Sequence, residues 1–101
     1  MFDIKWIQDK LRKEEYYFSR HGDKERQNDN LTILEVEEAI LSGLILEQYV
    51  DTGRGESCLV VGFTSFGKPN HIVCGKTDEE LTIITVYIPS PPKFKNPYER
   101  G

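Results

Sequence analysis

A chain of 101 residues with a formal net charge of -4 is long enough for one domain and too short for two. Hydrophobic residues at 38% and charged residues at 30% exclude both a disordered tail and a membrane-spanning protein. The acid excess also disfavours non-specific nucleic-acid binding, so any RNA contact needs a local basic patch. Arg20, Lys24 and Arg26 offer one such patch, and Lys93, Lys95 and Arg100 offer another. The first ten residues, MFDIKWIQDK, lack the apolar stretch of a secretory signal, so the expected compartment is the cytoplasm, with no membrane partner.

The elements follow in chain order. Residues 3–13 predict a helix capped by Asp3, with Phe2, Trp6, Ile7, Lys10 and Leu11 forming its stripe. Tyr16, Tyr17 and Phe18 read as a short strand or an extended docking segment. Ser19 caps a polar helix through Gln27, which Gly22 weakens, and Asn28-Asp29-Asn30 breaks the chain. Thr32 and Glu35 form a capping box, and Leu31 and Val36 a hydrophobic staple. Ile33, Val36 and Ile40 line the buried face of that helix, and Gly43 suits a left-handed position after its end.

The remainder reads as sheet: a strand over 44–49, a loop at Asp51, Gly53 and Gly55, and strands over 57–63, 70–76 and 81–88. Four of the five prolines follow, from Pro89 to Pro97, and predict an extended surface tail. The fold class is therefore α+β, with N-terminal helices packed on one antiparallel four-stranded sheet. Residues 1–101 form a single domain: helical segments over 1–30, a capped helix over 31–43, a meander over 44–88 and the tail over 89–101.

Two histidines and two cysteines bound the chemistry. Cys58 and Cys74 lack C-x-x-C spacing, so no metal site is expected, and no cofactor. A three-residue turn at 65–67 places them opposite each other as reduced thiols. A three-residue turn between Thr77 and Leu81 places His71 opposite Tyr87 and Val73 opposite Thr85. His71, Thr85 and Tyr87 then share one face, able to move a proton or bind a phosphate; the blander alternative is a solvated polar face. His21 with Arg20, Lys24 and Arg26 is the other candidate, since a helix start with cations holds anions. Its blander alternative is a charged helix surface.

A resemblance covers residues 16–100. The ordered motifs are Phe18-Ser19-Arg20-His21, Leu31 to Glu37, Gly43 to Tyr49, Cys58-Leu59-Val60-Val61-Gly62, His71-Ile72-Val73 and Thr85-Val86-Tyr87-Ile88-Pro89. In these the chain resembles a bacterial domain-of-unknown-function family encoded beside zinc-finger antitoxins of the YgiT/MqsA type. That family is similar in turn to the RelE-like and BrnT-like ribonuclease toxins, which set helices against an antiparallel sheet. The chain departs from the family pattern at Gly22, where alanine is usual, and at Asn28-Asp29-Asn30, where a second arginine is usual. The resemblance implies a toxin-like, metal-independent ribonuclease of a toxin–antitoxin pair, with RNA and a zinc-finger antitoxin-like protein as partners.

Such chemistry uses the RNA 2′-hydroxyl as nucleophile, so the protein supplies a base, an acid and cations. His71 or His21 is the candidate base or acid, Tyr87 the hydroxyl donor, and Arg26 the phosphate holder. Arg20, Lys24, Thr85 and Arg100 are candidate substrate contacts. The alternative reading is a non-catalytic interaction module that binds a basic protein through the Glu-rich helix and the proline tail.

Overall fold

The computed structural model describes residues 1–50, 53 and 55–101. Asp51 of the expected loop lies outside these residues, while Gly53 and Gly55 take φ values of 104° and 90°. Three helices precede the four long strands of the sheet: α1 (Ile4–Arg12), α2 (Arg20–Asn28) and α3 (Ile33–Leu41). Each begins on the cap its sequence predicts. Asp3 accepts from the Lys5 amide, Ser19 from Gly22, and Thr32 forms a reciprocal capping box with Glu35. Replacing Thr32 by alanine should cost about 1 kcal/mol, read as a lower urea midpoint with an unchanged slope.

The strands are β1 (Tyr16–Phe18), β2 (Leu44–Tyr49), β3 (Ser57–Phe63), β4 (Pro69–Thr77), β5 (Glu80–Tyr87), β6 (Phe94–Asn96) and β7 (Glu99–Arg100). The main sheet has five strands in the order β1-β5-β4-β3-β2. The expected four-stranded antiparallel sheet is therefore a five-stranded mixed one. Tyr16, Tyr17 and Phe18 pair in parallel with Leu81, Thr82 and Ile83, while the other ladders are antiparallel. The reason is the free edge of β5. The Leu81 amide donates to the Glu15 carbonyl, and β1 takes the edge up to Ile83.

Helix α2 continues that cover. The Ser19 amide donates to the Ile83 carbonyl, the Ser19 hydroxyl to the Ile84 carbonyl, and the Ile88 amide to the Asp29 carboxylate. Gly22 is what allows the approach, since a Cβ there would lie 2.5 Å from the Ile83 carbonyl oxygen. The glycine expected to weaken α2 is thus the residue that seats it.

The helices and one sheet face enclose Ile7, Leu11, Leu31, Val36, Ala39, Ile40, Cys58, Val60, Ile72, Cys74, Leu81, Ile83 and Val86. Gln8 ties α1 to α3 by donating to the Ile40 and Leu41 carbonyls, which α3 itself cannot satisfy. Ile33, expected on the buried face of α3, is exposed, and Ala39 takes its place beside Val36 and Ile40. Gly43 does not adopt a left-handed conformation. It is small because a Cβ would lie 2.7 Å from the Ala39 carbonyl and 2.8 Å from that of Val61. Cys58 and Cys74 are directly paired, buried and free, as the turn length predicts.

The tail departs most from expectation. It folds back as the β6–β7 hairpin, and Phe94 is fully buried. Leu59, Val61 and Phe94 are buried outside the main cluster, so the tail roofs a second, smaller core on the other face of the sheet. Of this helical and sheet framework, no helix among the described residues is long and apolar enough to cross a membrane.

Candidate functional site

Side chains alternate along β4, so Ile72 and Cys74 in the main core leave His71 and Val73 on the face away from the helices. His71 pairs with Tyr87 and Val73 with Thr85, as expected. The route differs from the expected one. The β4–β5 turn has two residues, with Thr77 paired to Glu80 and Asp78 at φ 55°. That register alone would offset His71 from Tyr87 by one position. A bulge at Ile84, between the pairs Cys74–Ile83 and Val73–Thr85, restores it. The same bulge turns Ile83 into the main core, so Ile83 does not share the face of Thr85 and Tyr87.

A second bulge acts on β2. Ile45 pairs with Val60 and Glu47 with Leu59, so Leu46 is extra. Ile45 packs on the main core, and Glu47 is aimed at the opposite face. There Arg100 grips it through two hydrogen bonds, Nε at 2.9 Å and Nη2 at 2.7 Å. The Tyr49 hydroxyl donates to Glu47 at 2.6 Å. The Arg100 bonds, then that of Tyr49, hold the Glu47 carboxyl below its usual range. Burial, followed by the Glu47 bond, pushes the Tyr49 hydroxyl up.

His71 lies beneath this cluster and is fully buried. The Pro97 carbonyl can only accept, so at 2.7 Å it fixes the proton on His71 Nε2. Nδ1 then accepts from the Tyr87 hydroxyl at 3.1 Å. Phe94 meets the imidazole edge-on, with ring centroids 4.3 Å apart, and the Arg100 guanidinium lies 4.8 Å from the centre of the Phe94 ring. Burial lowers the His71 pKa and outweighs the opposing pull of the Pro97 bond.

That shift has a sign. The folded state holds His71 neutral, while the unfolded chain takes up a proton near the ordinary value of 6.5. Stability from this group is therefore complete above pH 6.5 and falls as the pH drops through the lower folded value. A titration of the His71 ring by NMR should show a neutral imidazole below pH 6.5. Stability in urea should decline across the same range, and His71→Gln should flatten that decline.

The remaining candidates lie elsewhere. His21 is exposed on α2 and 3.5 Å from Glu25, an i,i+4 pair. Arg26 is not presented to a ligand: it donates to Asp23 at 2.8 Å and to the Leu31 carbonyl at 2.7 Å, and packs over Phe18. Arg20 and Lys24 are exposed on α2. The structure thus brings His71, Tyr87, Thr85 and Arg100 to one side of the sheet and leaves Arg20, His21, Lys24 and Arg26 with α2. Among the described residues, no ion pair or hydrogen bond joins His21 to His71.

Glu47 and Tyr49 were not anticipated at the site, because Arg100 lies 53 residues from Glu47 and the bulge has no local signature. Among the described residues, no group of three or more His, Cys, Asp or Glu gathers as a metal site. No curated protein and no solved structure matches the chain. The family model for a domain of unknown function, DUF4258, matches residues 18–88, from the end of β1 to the residue after β5, and the chain belongs to that family.

Proposed function

We propose that this chain is a non-catalytic protein-interaction module of the cytoplasm. The observation that carries the reading is the closure of His71. Both ring nitrogens are engaged inside the fold, by Pro97 and Tyr87, and the ring is sealed from solvent. A base must reach the proton it removes, and a phosphate needs a cation free to meet it. Arg100 is held by Glu47 and Arg26 by Asp23, so each cation is already paired within the chain, although the Arg100 side chain is half-exposed.

A second reading retains the toxin-like, metal-independent ribonuclease of a toxin–antitoxin pair, with a RelE-like or BrnT-like use of the sheet. It is favoured by one observation: His71, Tyr87, Thr85 and Arg100 gather on the helix-free face. Its partners would be RNA and a zinc-finger antitoxin-like protein. In that reading one group removes the 2′-hydroxyl proton, the oxygen attacks phosphorus, and the departing 5′-oxygen takes a proton from a second group.

The two readings separate on RNA. Purified protein with a chelator present should leave single-stranded RNA intact, and its induction in cells should not arrest growth. Cleavage that survives the chelator and is lost in both His71→Ala and Tyr87→Phe would overturn the module and establish the nuclease.

A further inference from the structure

We infer that the outer face of α3 and the β3–β4 turn form one docking platform for a basic protein surface bearing an apolar cleft. This rests on the interaction-module reading and names its surface. Phe66, at the tip of the turn, is 97% exposed, and Leu34 on α3 is 63% exposed. Ile33 and Leu41 are exposed as well. Large aromatic and aliphatic side chains standing clear of the surface are typical interface anchors.

The anchors belong to one rigid body. Leu34, Glu38 and Leu41 follow the i, i+4, i+7 spacing and share one side of α3. The turn is bonded to that helix at three points. The Ser65 amide donates to Glu38 at 3.2 Å, Lys68 pairs with Glu35 at 3.4 Å, and the Ser42 hydroxyl donates to the Phe63 carbonyl at 3.0 Å. The turn is itself closed by the Thr64 amide on the Lys68 carbonyl at 2.9 Å. The turn that carries Phe66 is therefore fixed to α3, which lowers the ordering cost of binding.

Charge selects the occupant. Glu35 and Glu38 line the side of the platform next to the turn, with Lys68 paired to Glu35, and Glu37 lies on the far side of α3, where it accepts from the Tyr16 hydroxyl. A second copy would set acid against acid, and an anionic lipid surface would be repelled. A lysine- or arginine-rimmed cleft that takes Phe66 and Leu34 is complementary in both charge and shape.

The probe is a fluorescent amphipathic peptide of leucine and lysine, with a leucine–glutamate peptide of the same pattern as control. The lysine peptide should bind the full chain, weaken as salt rises, and lose about tenfold in affinity in the Phe66→Ser, Leu34→Ser double variant. Both positions are exposed, and an unchanged thermal midpoint of the variant verifies that its fold is intact. Equal binding of the glutamate peptide, no binding of either peptide, or undiminished binding by the double variant would each overturn the platform. A dimer in sedimentation that Phe66→Ser disperses would make a second copy the occupant and overturn the basic partner. Metal-independent RNA cleavage, by contrast, removes the underlying module reading whatever the peptides do.

Discussion

Phe94→Ala should lower stability by about 3–5 kcal/mol, the cost of deleting a buried phenyl ring. Phe94 is 1% exposed and fills the space between the sheet and its own hairpin. It touches the His71 ring on one side and carries the Arg100 guanidinium on the other. Its loss removes the roof over Leu59 and Val61 as well as the phenyl contacts. The β6–β7 hairpin is a sheet of its own, so it can detach while the five-stranded sheet survives. The loss is then capped by the docking energy of the tail, and the lower end of the range is expected. His71 reports which event occurs. Burial is the main cause of its lowered pKa, so the value should rise toward 6.5 once Phe94 is gone. A full-sized loss of stability with an unmoved His71 titration would place the damage elsewhere than the roof.

Where local chemistry decides, the sequence is readable. Three caps, at Asp3, Ser19 and Thr32, are each set by a side chain within three residues of the amide it satisfies. The β3–β4 register follows from turn length, which is why Cys58 and Cys74 meet. Pairing made across long separations is not readable in this way. Strand β1 joins β5 more than sixty positions away, with no turn to announce it. The bulges at Leu46 and Ile84 have no signature in strand alternation, yet they decide which face Glu47 and Ile83 occupy.

His71 and Tyr87 show both sides of this. Their pairing was expected from a three-residue turn and arises from a two-residue turn plus a bulge. The tail did carry a signal. Asn96-Pro97 marks a turn, and the Asn96 side chain accepts from the Tyr98 and Glu99 amides to close it. A buried phenylalanine two residues before that turn is what makes the proline-rich segment a hairpin rather than an extended strap.

Gly62→Ala should be the most damaging single-methyl addition in the chain. A Cβ at Gly62 would lie 1.7 Å from the Ala39 carbonyl oxygen and 2.5 Å from its carbon. Both atoms are backbone of α3, so no rotamer change can relieve the clash. Either α3 lifts from β3 or β3 is pushed out of the sheet. Ala39, Val36 and Ile40, all fully buried, move with the helix and open the main core. Overpacking into a well-packed core costs about 1–3 kcal/mol, and a clash with rigid backbone belongs at or above the top of that range. For a domain of this size a loss of 3 kcal/mol corresponds to a melting point lower by about 12–24 °C. Gly75→Ala is the matched control. Its Cβ would meet the Ile84 Cδ1 at 2.7 Å, the far end of a flexible side chain, which can turn away. A small shift is expected there. Equal melting points for the two variants would mean that α3 does not rest on β3 through the Ala39 carbonyl, and the packing of the main core described above would be wrong at its centre.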